Sequence, residues 1–205
     1  MDGITWLGHA GFKLKNGKTV YIDPFKVKDK SEKADIIICT HEHYDHCSIE
    51  DIKGLAKPDT IIVTVADNQS KLSGLTIGGI KLIAPGGKVS IGDVTIEAVP
   101  AYNVNKRFHP RENNWVGVLV TIGGKRIYHA GDTDRIPEMK NIKCDVALLP
   151  VSGTYVMTPE EAALAAADIK PKLAIPMHIG SIIGGRAEAE RFKKLCTACP
   201  VEILG

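Results

Sequence analysis

Asp35-Ile36-Ile37-Ile38-Cys39-Thr40-His41-Glu42-His43-Tyr44-Asp45-His46 is the stretch on which the reading of this chain turns. Its first five residues are apolar and β-branched, the pattern of a buried strand. The next seven hold three imidazoles and two carboxylates. Ser48-Ile49-Glu50-Asp51 follows and reads as a helix start, with Ser48 as N-cap and Asp51 reaching back. The histidines therefore sit on a loop between the carboxyl end of a strand and the amino end of a helix. In layered α/β proteins that rim is where ligands bind. Residues two apart on an extended segment point the same way, so His41 and His43 can grip one ion together. Asp45 and His46 come after the chain turns and address a neighbouring position. Imidazole and carboxylate together suit zinc, manganese or iron.

Working outward, the chain has 205 residues, enough for one domain with a sizeable core. A net charge of +2 gives no argument for nucleic acid or a membrane surface as partner. No apolar run approaches the ~20 residues of a membrane-spanning helix, and Met1-Asp2-Gly3 lacks the start of a signal peptide. Five cysteines form no regular framework, so reduced thiols and a cytoplasmic protein are expected. Cys196-Thr197-Ala198-Cys199 reads as incidental, because a second pair is missing and it follows a helix. Nothing in the sequence sets the oligomeric state.

The chain repeats itself. Gly17-Lys18-Thr19-Val20-Tyr21-Ile22 has a counterpart in Gly124-Lys125-Arg126-Ile127-Tyr128-His129, and Ala34-Asp35-Ile36-Ile37-Ile38 one in Cys144-Asp145-Val146-Ala147-Leu148. Each copy is a hairpin, a connection and a buried strand ending at a loop. Two halves, about 1–100 and 115–205, are expected within one domain, joined by a polar loop over 101–114. Thr158-Pro159-Glu160-Glu161 predicts a helix with a capping box. Arg186 to Leu195 predicts the last helix. His129 lies on a strand before the Gly131-Asp132 turn and reads as buried, not as a ligand. His9, between Gly8 and Ala10, has two readings: a packed core histidine, or part of the lining of a metal pocket.

His41-x-His43-x-Asp45-His46 after an apolar strand resembles the signature of the metallo-β-lactamase superfamily of metal-dependent hydrolases. The resemblance implies an α/β fold, a four-layer αββα sandwich with two pseudo-repeated halves. It implies one or two divalent metal ions, zinc first, with manganese or iron as alternatives. Asp132 matches the family's bridging aspartate and His178, ending Pro176-Met177-His178, its last metal ligand. The ligand set so implied is His41, His43, Asp45, His46, Asp132 and His178, with His9 as a further candidate. Asp45 and Asp132 would be the catalytic carboxylates. Trp6-x-Gly8-His9-Ala10, Asp23-Pro24, His129-Ala130-Gly131-Asp132-Thr133 and Pro176-x-His178 look like the branch containing L-ascorbate-6-phosphate lactonase-like proteins.

One position departs from the family pattern. Asn103 stands about where the third histidine of the first site is usual, so that either one metal position is weak, or His9 or His109 completes it, or a single ion sits with Asp45, His46, Asp132 and His178. The same polar loop carries Arg107, His109 and Arg111. With Asn103 these are the candidate substrate-binding residues, forming a lid over an anionic small molecule, a phosphate ester or a lactone. The competing class is a metal-binding sensor or a non-catalytic module of the same fold, and Asn103 is what favours it.

Overall fold

Alternation along the strands sorts the core into layers. The computed structural model describes residues 3–205. The first sheet runs in sequence order: β1 (Ile4–Gly8), β2 (Gly11–Asn16), β3 (Lys18–Ile22), β4 (Ile36–Cys39), β5 (Ile61–Thr64) and β6 (Gly79–Leu82). Its first pairings are antiparallel, and from β3 onward they are parallel. Val20, Ile22, Ile36 and Ile38 point into the core shared with the second sheet. Tyr21, Ile37 and Ile62 point the other way, onto Ile52 and Leu55 of α1 (Ile49–Leu55) and Leu72 of α2 (Gln69–Leu72). This is the period of two expected of a strand buried on both faces. Each fully buried isoleucine contributes roughly 1.5–3 kcal/mol of transfer free energy.

The second sheet has the order β12-β11-β10-β9-β8-β7. Its strands are β7 (Lys88–Ile91), β8 (Val94–Pro100), β9 (Val116–Ile122), β10 (Lys125–His129), β11 (Val146–Pro150) and β12 (Leu173–Met177). It repeats the first: the β9–β10 hairpin leads into parallel β11 and β12, as β2–β3 leads into β4 and β5. Its outer face carries α3 (Pro159–Ile169) and α4 (Arg186–Leu195), through Ala162, Ala166, Ile169, Ala189 and Phe192. The result is the expected α/β sandwich of two mixed sheets between helices.

The chain leaves the first sheet after Leu82 and enters the second at Lys88, so β7 and β8 lie in the second sheet. The crossing is the short 83–87 turn, where Gly87 N–H donates to Ala84 O. The 101–114 loop connects two neighbours within one sheet, β8 and β9.

The helix starts follow their sequence signals. Thr158 and Glu161 cap each other reciprocally at 2.8 and 3.2 Å, with Pro159 in the first turn. Asp51 N–H donates to Ser48 Oγ at 3.3 Å, and the Ser48 hydroxyl donates to Asp51 Oδ2 at 2.7 Å. No helix among the described residues is long and apolar enough to cross a membrane. Cys196 and Cys199 hold their sulfurs 3.9 Å apart, unbonded.

Candidate metal centre

Loops from both sheets end at one rim. β4 delivers His41, His43, Asp45 and His46, the β1–β2 turn delivers His9, and the loop after β8 delivers His109. β10 ends at the Gly131-Asp132 turn, and His178 follows β12 directly. Gly131 has a φ of +65°, and a Cβ there would come within 2.7 Å of Val116 O. Only glycine lets that turn pack so closely.

Two groups of donors result. His41, His43 and His109 form one; His9, Asp45, His46 and His178 form the other. Asp132 stands between them. Its Oδ2 lies 3.2 Å from His109 Nε2, 4.0 Å from His41 Nε2 and 3.0 Å from His178 Nε2. Its Oδ1 lies 3.3 Å from His46 Nε2. His41 Nε2 and His43 Nδ1 face each other at 3.0 Å. His9 Nε2 meets Asp45 Oδ2 at 2.9 Å, and that oxygen is 3.6 Å from His46 Nε2.

The nitrogen that points away from the centre is held in four of these rings. His46 Nδ1 is 2.7 Å from Asp23 Oδ2. The Thr40 hydroxyl donates to the same oxygen at 2.6 Å, so its own oxygen is left to accept from His41 Nδ1 at 3.0 Å. Ser152 Oγ lies 2.9 Å from His178 Nδ1, and Asn103 Oδ1 lies 3.2 Å from His109 Nδ1. Such partners fix ring orientation and tautomer and leave Nε2 for an ion. Among the described residues, His46 Nε2, His109 Nε2 and Asp132 Oδ1 are buried side-chain atoms without a hydrogen-bond partner. An unpaired buried polar atom costs about 1–3 kcal/mol. Such unpaired atoms on and around Asp132, in both donor groups, fit cation binding, and the donor set fits a divalent metal.

The electrostatics agree. Burial, then the neighbouring His46, holds the His41 ring well below the ordinary imidazole range. Burial, then His109, lowers His43 as well. Both rings therefore offer lone pairs at neutral pH. Burial would also lower His46, but Asp132 and Asp23 on either side win and raise it. The proton favoured there supplies the positive charge that a metal ion would supply. Burial opposes ionisation of Asp132, yet His178 and His46 keep its carboxyl well below the usual range. His9, Asp23 and His178 adopt left-handed backbone, with φ of 51°, 45° and 60°. That conformation is costly for residues with a Cβ, and strain of this kind gathers at functional sites.

A family model described as "Beta-lactamase superfamily domain" matches residues 3–178. The UPF0173 metal-dependent hydrolase Ta0764 of Thermoplasma acidophilum is 37% identical, over 94% of this chain and 89% of its own. The chain belongs to the UPF0173 metal-dependent hydrolase family. Its relatives include a UPF0173 metal-dependent hydrolase of Thermococcus onnurineus, 34% identical over 95% of this chain and 92% of that one. A Parabacteroides distasonis crystal structure, 36% identical, superposes with a TM-score of 0.87 over 98% of this chain and 91% of that one. Igni18, a metallo hydrolase from Ignicoccus hospitalis, is 25% identical with a TM-score of 0.81, over 98% and 94%. The UPF0173 fold is thus the two-sheet sandwich described above, with a His/Asp cluster able to bind metal at its rim.

Within that frame, each candidate from the sequence has a definite place. His41, His43, Asp45, His46, Asp132 and His178 come together, and His9 joins them beside Asp45. His129 stands apart, buried, with Nε2 2.7 Å from Ala10 O. Of the two histidines that could stand in for the one replaced by Asn103, His109 completes the His41–His43 group. Asn103 itself is buried and does not line the cavity over the cluster. Its Oδ1 accepts the His109 backbone N–H at 3.0 Å, and its Nδ2 donates to Asp134 Oδ1 and Tyr155 O at 3.2 and 3.0 Å. Arg111 is drawn to Glu138 at 3.0 Å and lies over the Tyr102 ring. Arg107 is exposed and does not line the cavity over the cluster.

Two contributors had no clear signal. Asp23 anchors Thr40 and His46, and its only mark is an Asp-Pro step at a strand end on this rim. Asp134 holds the 103–106 segment, accepting from Val104 N–H at 2.8 Å and pairing with Lys106 at 2.5 Å. A cavity of about 220 Å³ opens over the cluster. Its floor is His43, Asp45, His109, Asp132 and His178. Its walls are Tyr44, Phe108, Tyr155 and Ile182.

Proposed function

We propose that the chain hydrolyses an ester-type bond, in a lactone or a phosphate ester, at a centre of one or two divalent ions held by His41, His43, His109, Asp132, Asp45, His46 and His178. The observation that carries this reading is Asp132: one carboxylate set between two groups of donors, its Oδ2 within 4.0 Å of nitrogens from both and its Oδ1 3.3 Å from His46 Nε2. Two groups favour two ions, and their imidazole-rich character favours zinc, with manganese and iron next. A bound ion supplies hydroxide near neutral pH, by lowering the pKa of its water towards ~7, and polarises the carbonyl or phosphoryl oxygen.

The chain's own residues do the rest. Asp45 lines the cavity floor, and burial would raise its carboxyl, but the His9 hydrogen bond and His46 hold it below its ordinary value. It is therefore ionised and placed to orient a water and take its proton. His9 fixes the carboxylate from behind. Asp23 and Asn103 orient His46 and His109, so the donors need not reorganise when the reaction demands it. No serine or cysteine nucleophile is required.

The substrate expected from the sequence is a small anion. No lysine or arginine lines the cavity, so negative charge on the reacting group would be met by the metal centre itself. The likeness to the lactonase-like branch makes a lactone the first bond to try. Five free cysteines fit a reducing cytoplasm. The sensor reading rested on Asn103, and His109 in the His41–His43 group removes that support. The test is to purify the protein without added metal, measure its ion content, and assay lactones, phosphodiesters and thioesters. One or two ions with turnover supports the reading; tight metal with no turnover on any of them rejects it.

A further inference from the structure

The seven large hydrophobic side chains most exposed among the described residues are Tyr44, Leu82, Val104, Phe108, Leu164, Ile182 and Leu195. Three of them, Tyr44, Phe108 and Ile182, line the cavity over the metal cluster. Tyr155 is the fourth wall. Scattered exposed apolar residues need no explanation, but a group of them at the mouth of a polar site does. Phe108 and Tyr155 meet edge to face, with centroids 4.7 Å apart and planes at 88°. The Tyr44 ring is braced by Phe25 at 5.7 Å. The walls come from four different loops, and Phe108 and Tyr155 are already in contact, so little ordering of that pair is needed to receive a ligand.

Two of the nearby cations are committed elsewhere, and Arg107, exposed beside Phe108, does not line the cavity. Lys106 is tied to Asp134 and also approaches Glu161, and Arg111 is tied to Glu138. The polar groups of the cavity lie on its floor, at the metal end. Its far end is aromatic and aliphatic.

We propose that the substrate carries an uncharged aryl arm, seated between Phe108, Tyr155, Tyr44 and Ile182, while its ester or lactone group meets the floor. This rests on the hydrolytic reading above for the reacting group only. A 150 Å³ apolar cavity holds benzene, so about 220 Å³ admits a phenyl ring with a short linker and the reacting group. An edge-to-face pair presents both a ring face and a ring edge to a third ring. A charged arm would be buried here without a partner, which is costly.

The test uses hydroxamates, which grip metal ions without being turned over. The zinc-loaded protein is titrated calorimetrically with acetohydroxamate, 3-phenylpropionohydroxamate and succinic monohydroxamate. The phenyl ligand is expected to bind at least tenfold tighter than the methyl ligand, and the carboxylate ligand no tighter than it. Phe108→Ala and Tyr155→Ala should each weaken the phenyl ligand at least five times more than the methyl ligand. Phe108 is half exposed, so its loss leaves folding intact, which circular dichroism checks. Equal binding of all three, no binding of the phenyl ligand, or a preference for the carboxylate that Arg107→Ala removes, would each overturn the proposal. Turnover is scored separately: a phenyl preference with no hydrolysis of any ester would reject the hydrolytic reading and leave the aryl subsite standing.

Discussion

Replacing Asn103 by alanine should weaken one metal ion and spare the other. The Asn103 amide is fixed by its neighbours. Its oxygen takes the His109 backbone N–H, and its nitrogen faces Asp134 and Tyr155 O. The orientation leaves Oδ1 as the acceptor for His109 Nδ1–H, which puts the free electron pair on Nε2. Alanine removes that acceptor and strands two buried donors of His109. Substitutions of this kind beside metal-binding histidines cost about 10–100-fold in affinity, or roughly 1.4–2.8 kcal/mol. His109 belongs only with His41 and His43. Competition with a chromogenic chelator should therefore show one ion weakened by that factor and the other changed less than about twofold. The cobalt-substituted protein should lose intensity in one visible band only. Equal weakening of both ions, or of neither, would refute the link from Asn103 to a single site.

Further outcomes follow from the same geometry. Asp45→Asn should keep its metal, because the imidazoles remain, yet lose turnover by a factor on the order of 10²–10⁴; full activity with metal bound would remove Asp45 from the mechanism. Chelation should destabilise the protein. An ion present at about 1,000 times its Kd contributes about 4 kcal/mol, and at roughly 2–4 °C per kcal/mol for this chain length the melting temperature should fall on the order of 10 °C. Glu32 gives a pH test away from the metal. Lys13, at 2.8 Å, and Lys15 hold its carboxyl at about 2 against an ordinary 4.5. The folded value is depressed, so its contribution is present above about pH 4.5 and is lost as pH falls towards 2. Urea midpoints of wild type and Glu32→Gln should differ at pH 7 and converge at low pH.

Much of this was legible in the residue order, for local reasons. An apolar β-branched run followed by closely spaced histidines can only be a strand feeding a loop. The Thr158 and Ser48 caps act within three residues of themselves. The repeat could be seen because both halves use the same hairpin. What escaped depends on contacts across long separations. His109 lies in an irregular loop, where no period says which way a side chain faces. Asp23 acts on residues 17 and 23 positions later. Arg111 looked free until Glu138, 27 positions on, captured it. The crossing between sheets at 83–87 carries no mark of its own, because a short Gly-containing turn reads the same whether it joins partners or separates them.

The layout of the two sheets has a consequence for assembly. Residues 4–82 build one sheet and 88–177 the other, and both donor groups draw on each of them through Asp132. His178 comes one residue after the final strand ends. During synthesis, then, the donor set is completed late. Neither group is whole until His109, Asp132 and His178 have emerged and the two slabs have closed on each other, so a cation held there would rivet the first-made slab to the second.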